Sequence, residues 1–200
     1  MFIQVITGTT SDREGLRRQA DRWDRELRPG AAGFLGTTAG VTDDGRFIVA
    51  ARFESEEAAN RNSAREEQGA WWAETEKYLD NVSFQDSIEV TTMLGGGSND
   101  AGFVQVMRGR VTDKAKAAEL MARSAEFEAN MRERRPDVLG DVTAQHGDGS
   151  YTDLIYFTSE AEAREGEAKP MPAEMQAMFE EFMSAMTIDE YLDLKDPWLY

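Results

Sequence analysis

The chain of 200 residues contains no cysteine and a single histidine, His146. Without cysteine it has no disulfide, no thiolate metal ligand and no cysteine nucleophile. One histidine excludes a metal centre built from several imidazoles. Apolar material is not lacking, because 40% of the residues are hydrophobic and 10% are aromatic. We therefore expect a packed globular protein with no metal site and no cofactor.

Basic residues are scarce, with 22 Lys+Arg against 38 Asp+Glu and a net charge of −16. Such a charge repels phosphate backbones and anionic lipid surfaces, so we expect no nucleic-acid partner and no membrane partner. The N-terminal residues 1–7 lack the basic and apolar regions of a signal peptide. No stretch approaches the ~18 consecutive apolar residues of a membrane span. The sequence is thus typical of a soluble cytoplasmic protein.

The sequence repeats itself. Phe2–Gly8 matches Phe103–Gly109 with an offset of 101 residues (103 − 2), and Phe53–Glu56 matches Phe157–Glu160 with an offset of 104 (157 − 53). Several matches in register, with one small insertion, indicate an internal duplication. The second copy is expected to carry three extra residues between its first helix and its next strand.

The ends of the two copies also align, because Ser83–Val90 lies over Thr187–Leu194. The segment between the copies contains three consecutive glycines followed by Ser-Asn, a composition typical of a flexible linker. The predicted organisation is therefore a first copy over residues 1–94, a linker over 95–102 and a second copy over 103–200.

Each copy reads as strand, helix, strand, strand, helix, strand. A capping box at Ser11 and Glu14 predicts the start of the first helix, whose apolar face is Leu16, Ala20, Trp23 and Leu27. A second capping box at Ser63 and Glu66 predicts a break in the second helix. In the second copy, Pro170 and Pro172 predict the same break.

A βαββαβ unit forms a four-stranded antiparallel sheet with both helices on one face. Strands such as Phe2–Ile6 and Phe47–Ala51 are apolar on both faces, so the second face must also be covered. The predicted fold is α+β: two tandem ferredoxin-like βαββαβ units whose antiparallel sheets pack face to face as a pseudo-dimeric α+β barrel. The expected oligomeric state is a monomer (pseudo-dimer) or a weak homodimer.

Two motifs stand at the turn from the third strand into the second helix: Phe53-x-Ser55-Glu56-x-x-Ala59 and Phe157-x-Ser159-Glu160-x-x-Ala163. With them the chain resembles the dimeric α+β-barrel superfamily and, within it, the antibiotic-biosynthesis-monooxygenase-like (ABM-like) proteins, as two fused copies. The resemblance implies a small-molecule ligand held between sheet and helices. It specifies the fold better than the activity, because the superfamily spans oxygenases, haem-degrading enzymes and dehalogenase-like proteins.

The resemblance also directs attention to the second helix of the first copy, where some oxygenases of the superfamily carry Asn and Trp. Asn62 and Trp72 are therefore the candidate catalytic residues, since an amide and an indole N–H can hold a phenolate or an oxyanion. Arg65, Gln68 and Trp71 are candidate ligand-binding residues nearby. The structural alternative is that Trp72 belongs to the core and Asn62 to the cap at the helix break.

Two strand residues complete the candidate site. Gln4 is repeated as Gln105 in the second copy, so it either contacts a ligand or cross-links the two sheets. Arg52 either pairs with an anionic ligand or forms an ion pair with Asp86. The resemblance implies that haem is disfavoured, because haem-degrading members of the superfamily carry a histidine on the second helix and this chain has none there. His146, beside a Gly-Asp-Gly turn, is expected on the surface.

The functional hypothesis is a cofactor-independent monooxygenase-like protein acting on a small aromatic or quinol-type compound. The alternative is a non-catalytic small-molecule-binding or stress-associated protein on the same scaffold. The second copy replaces the Trp-rich helix by a methionine-rich one, which is typical of plain core. We therefore expect any chemistry in the first copy.

Overall fold

A computed structural model describes the backbone of residues 1–200 and all side chains except those of residues 124–127 and 174. The chain divides into two compact units. Unit 1 comprises Met1–Val90 with Asp196–Tyr200, and unit 2 comprises Thr91–Lys195. Both contain the βαββαβ order, which confirms the predicted α+β class and its ferredoxin-like repeat. The last five residues join unit 1, whereas the repeat had placed them at the end of the second copy.

Unit 1 contains a sheet with the strand order β4-β1-β3-β2-β9. Its first helix packs through Leu16 on the sheet face that carries Ala39 and Phe47. Its elements are β1 (Phe2–Thr9), α1 (Arg13–Arg22), β2 (Phe34–Val41), β3 (Arg46–Phe53), α2 (Glu56–Ser63), α3 (Glu66–Thr75), β4 (Asp80–Met93) and β9 (Trp198–Leu199). A π-helical turn over Trp23–Leu27 and a 3-10 turn over Arg28–Gly30 extend α1, and a 3-10 turn over Glu76–Tyr78 precedes β4. Neighbouring strands of this sheet pair antiparallel.

Unit 2 repeats the pattern with the strand order β8-β5-β7-β6. Its elements are β5 (Phe103–Val111), α4 (Lys114–Ala122), α5 (Ser124–Arg134), β6 (Val138–His146), β7 (Ser150–Phe157), α6 (Glu160–Ala168), α7 (Ala173–Met183) and β8 (Met186–Leu194). The break between α6 and α7 confirms the prediction from the two prolines, because α7 begins directly after Pro172. The corresponding break between α2 and α3 is confirmed as well.

The capping residues differ from the prediction. Asp12, not Ser11, caps α1, and its carboxylate accepts a 2.7 Å hydrogen bond from the Gly15 amide. A carboxylate at this position also interacts favourably with the positive end of the helix dipole, which a hydroxyl does not. Ser63 is the last residue of α2 and caps nothing; α3 begins after Arg65 with no side-chain cap.

The alignment of the last strands was also wrong, by three residues. In the antiparallel registers Gln4 lies opposite Asp86, and its repeat Gln105 lies opposite Asp193. The equivalent offset for this strand is therefore 107 (193 − 86), not 104. The register of a strand is determined by its backbone hydrogen bonds and by the face that each side chain takes. These constraints outweigh a weak sequence match, so the residues aligned by sequence are not the structurally equivalent ones.

The core of unit 1 confirms the predicted helix face, because Leu16, Trp23 and Leu27 are buried. His146, by contrast, is not on the surface. It is buried in unit 2, where its Nε2 lies 3.0 Å from the Thr152 hydroxyl. The Thr152 hydroxyl gives one ring nitrogen a hydrogen-bond partner, which lowers the cost of placing a polar residue in the interior. Among the described residues, no helix is long and apolar enough to cross a membrane.

Candidate functional site

A cavity of about 110 Å³ lies in unit 1 between the sheet and its helices. Side chains of β1, β2 and β3 form its floor; Ile6 lies opposite Val49, and Val49 opposite Ala39, so all three share one face of the sheet. The helices supply most of the remaining wall. Aromatic rings from these elements dominate the lining: Trp23, Phe34, Phe47, Phe53, Trp71 and Trp72.

The aromatic side chains contact one another around the cavity. The Trp23 ring centroid lies 4.8 Å from that of Phe34 and 6.5 Å from that of Trp71. Trp71 and Trp72 are 6.0 Å apart, and Trp72 meets Phe84 edge-on at 5.2 Å. Such edge-to-face packing holds large rings in fixed positions and presents flat apolar walls to a ligand.

Asn62 is buried at the C-terminal end of α2 and lines the cavity. Its Oδ1 accepts a 2.9 Å hydrogen bond from Arg65 Nη1, and the same guanidinium nitrogen donates to the Leu27 carbonyl at 3.0 Å. Arg65 itself does not line the cavity. It fixes the orientation of the amide instead, by holding its oxygen. The other end of the amide, the Asn62 Nδ2 donor, has no partner among the described residues.

Gln68 is held in the same way. Trp23 Nε1 donates to Gln68 Oε1 at 2.6 Å, which leaves the Gln68 Nε2 donor without a partner in the described part of the chain. The indole N–H of Trp72 also has no described partner, whereas that of Trp71 donates to the Gln19 carbonyl at 2.9 Å. The cavity is thus lined by two amides whose acceptor oxygens are occupied and whose donors are available.

Gln4 does not form the predicted cross-link between two sheets, because its partner Asp86 lies on the neighbouring strand of the same sheet. It lines the cavity, and its Nε2 donates to Asp86 Oδ1 at 3.0 Å. Gln105 makes the same bond to Asp193 at 3.2 Å in unit 2, so the Gln–Asp contact belongs to the shared framework.

Arg52 lies away from the cavity. It pairs across the sheet with Ile3, on the face opposite to Ala51, and its Nη1 donates to the buried Thr38 hydroxyl at 2.9 Å. Successive residues of a strand point to opposite faces, so the neighbour of a cavity residue cannot itself enter the cavity. The predicted ligand contact of Arg52 is therefore not supported by its position.

Two lining residues come from the far end of the chain and were not predicted. Trp198 lies opposite Ala39, and Tyr200 exchanges two backbone hydrogen bonds with Thr37, of 2.7 and 3.0 Å. Both side chains line the cavity. The alternating aromatic residues around Leu199 are a strand signal, but nothing in the sequence shows that this strand joins the first copy.

No ionisable carboxylate, amine, guanidinium or imidazole occurs among the described lining residues. Tyr200 donates its hydroxyl to Asp21, and burial is the main cause that raises the pKa of Tyr200, so the phenol stays protonated. Haem does not fit, because the lining offers no imidazole or thiolate and the volume is far smaller than the macrocycle. In the part of the chain described, no three acidic or histidine side chains are grouped to hold a metal ion.

No protein-family model matches the sequence, and no curated protein matches it. Solved structures do resemble it. A "putative monooxygenase" from Lactobacillus acidophilus superimposes with a TM-score of 0.74 at 13% identity, over 100% of this chain and 98% of that one. An anthrone oxidase-like protein superimposes with a TM-score of 0.63 at 11% identity, over 100% and 92% of the two chains.

A ferredoxin-fold protein from Listeria monocytogenes, related to antibiotic biosynthesis monooxygenases, has a TM-score of 0.52 at 9% identity, over 99% of this chain and 95% of that one. At such low identity the likeness concerns the fold, not the activity. It extends over nearly the full length of both chains in each case. The chain therefore has a ferredoxin-like α+β fold in a tandem two-copy form, similar to that of these solved structures.

Proposed function

We propose that unit 1 binds a small aromatic compound as its phenolate and oxygenates it without a cofactor, as a cytoplasmic monooxygenase-like enzyme. The observation that carries this proposal is the state of the two cavity amides. Arg65 occupies the oxygen of Asn62, and Trp23 occupies the oxygen of Gln68. Each amide oxygen already accepts one hydrogen bond, whereas its N–H donors are available to a ligand, which favours an oxyanion or carbonyl oxygen on that ligand.

The apolar walls strengthen this preference. Hydrogen bonds in a site that excludes water are stronger than in solution, and an oxygen that carries negative charge gains most from them. The indole N–H of Trp72 is a third donor at the same cavity. A flat ring against the tryptophans, with its oxygen toward these donors, satisfies both parts of the lining.

The chemistry needs only the substrate and dioxygen. An electron-rich phenolate transfers an electron to dioxygen, and the resulting radicals combine to form a C–O bond at the para carbon. The peroxide anion takes up a proton, and the adduct then loses water, which removes the hydrogen of that carbon and cleaves the O–O bond. One phenol and one dioxygen thus give one p-quinone and one water. Asn62 and Gln68 hold the ring oxygen, whose charge changes along this path.

Oxygen consumption with a panel of electron-rich phenols, such as 2-methoxyphenol, tests the proposal. We expect one dioxygen consumed per quinone formed. Asn62→Ala should lower the rate about 100-fold, the scale of losing one oxyanion donor. Asn60→Ala is the matched control, because Asn60 lies two residues earlier on the same helix and is exposed. Equal rates in the two variants would remove Asn62 from the mechanism.

A second candidate, non-catalytic binding of the same ligands, is favoured by one specific observation. The described lining residues include no ionised group that could take the phenol proton. The oxygenase must therefore take a phenol that is already ionised in water, whereas a binding protein has no such requirement. Binding that depends on Asn62, with no oxygen uptake at any pH above the phenol pKa, would select the second candidate.

A further inference from the structure

Residues Asp196–Tyr200 belong to unit 1 and are firmly attached to it. Asp196 lies within 3.2 Å of Arg13 Nη2 and 3.6 Å of Arg17 Nη1. Tyr200 is tied to Thr37 through both of its backbone groups. Because its attachment spans both α1 and β2, this segment is a fixed part of the wall.

Its side chains alternate between the two faces of the sheet. Trp198 is opposite Ala39 and faces the cavity, whereas Leu199 is opposite Thr38 and takes the other face. Trp198 is only 1% exposed, and its ring lies 6.2 Å from that of Phe47. The Arg17 guanidinium covers the same indole at 5.3 Å. The indole is thus clamped between a floor residue and a helix residue.

We propose that Trp198 is a specificity-determining residue that limits the cavity ligand to a single aromatic ring and excludes fused rings. The cavity volume of about 110 Å³ is on the scale of the ~150 Å³ apolar cavity that holds one benzene molecule. A second fused ring needs space that the indole fills. Replacing this bicyclic side chain by a methyl group removes a wall element as large as that second ring.

This inference rests on the proposed site but not on oxygenation, so two pairs of probes separate them. The first pair is 4-nitrophenolate and 4-nitro-1-naphtholate, which differ by one fused ring and carry the same oxyanion. The second pair is fluorobenzene and 1-fluoronaphthalene, which have no oxyanion. Binding of the first pair is measured by isothermal titration calorimetry, and that of the second by ¹⁹F NMR.

In the unchanged protein we expect the one-ring member of each pair to bind at least tenfold more tightly. Trp198→Ala should reverse or abolish that ratio by admitting the two-ring member. Since alanine at a fully buried site can loosen the segment, Trp198→Leu is tested in parallel, and thermal unfolding reports whether each variant is folded. Leu199→Ala is the matched control on the opposite face and should leave the ratio unchanged.

The outcomes are distinct. A folded Trp198 variant with the original one-ring preference overturns the proposal. So does a two-ring preference in the unchanged protein, or a failure of both pairs of probes to bind. If fluorobenzene binds with the expected size preference but the phenolate does not, the size limit stands and the proposed oxyanion chemistry fails. If phenolates bind and are oxygenated with no dependence on Trp198, the proposed oxygenation stands and the size limit set by Trp198 fails.

Discussion

The two copies use the same strand positions for opposite purposes. In unit 1, Ala39 on β2 lies opposite Val49 on β3, and both line an apolar cavity. In unit 2, Thr143 on β6 lies opposite Asp153 on β7 at the equivalent place. The duplication has preserved the register of the sheet while the side chains on this face have diverged.

The unit 2 face carries a pair of acids. Asp153 Oδ1 accepts a 2.9 Å hydrogen bond from the Thr143 hydroxyl, and buried Asp141 lies two residues before Thr143 on the same strand face. Burial, together with the neighbouring Asp153, raises the pKa of Asp141 well above its ordinary value. Burial raises the pKa of Asp153 to about 6. One ferredoxin-like fold thus accommodates either an apolar cavity or a pair of carboxyl groups of which one is buried.

The largest effect should come from placing the unit 2 acid in unit 1. Val49→Asp puts a carboxylate on the apolar face opposite Ala39, where no hydroxyl replaces the one that Thr143 supplies. We expect the free energy of unfolding to fall by about 3 kcal/mol at pH 7, the cost of a poorly partnered buried acid. Urea unfolding measures it.

Val49→Thr is the control of similar shape and should cost less than half as much. Adding Ala39→Thr to Val49→Asp rebuilds the Thr–Asp pair of unit 2 and should restore about 1 kcal/mol. If Val49→Asp leaves the stability unchanged, this face of the unit 1 sheet is not the apolar surface described above.

The next effect concerns pH and unit 2. The pKa of Asp153 is higher in the folded state, about 6, than the ~3.9 of an unfolded aspartate, so folding favours its protonated form. The contribution of Asp153 to stability should therefore increase as the pH falls from 7 towards 4. Asp153→Asn should reduce the gain in stability on acidification, leaving the part due to Asp141, and raise the stability at pH 7 by about 2 kcal/mol.

Urea unfolding at pH 7 and at pH 4.5 gives the measurement. Asp100→Asn, in the exposed loop after β4, is the control and should keep the wild-type dependence on pH. The same dependence on pH in the wild type and in Asp153→Asn would contradict the raised pKa of Asp153.

The βαββαβ order of each copy could be predicted from sequence, because strands and helices are indicated by the pattern of neighbouring residues. Phe2–Gly8 and Phe103–Gly109 share their alternation, and Pro172 blocks a helix wherever it stands. The helix with Asn62 and Trp72 was also identified, and the structure brings both residues to one cavity. Their roles in catalysis stay predictions.

The remaining features depend on contacts that one sequence does not contain. Arg52 and the cavity residue Ala51 are neighbours in sequence, and only the register decides which of the two faces the helices. Trp198 reaches its partner Phe47 across about 150 residues by adding a strand to the first sheet. Such an addition follows from an open sheet edge, which exists only once the sheet has formed.

The smallest effect separates framework from ligand site. Gln4→Met and Gln105→Met each remove the amide that bonds an aspartate, so both should lower the stability by about 1 kcal/mol. Because only Gln4 lines the cavity, only Gln4→Met should change the affinity for 4-nitrophenolate, by about threefold. Titration calorimetry on both variants decides the matter. Both glutamines bond an aspartate, but only Gln4 lines the cavity. Equal effects of the two substitutions on affinity would therefore mean that the ligand does not bind in the unit 1 cavity.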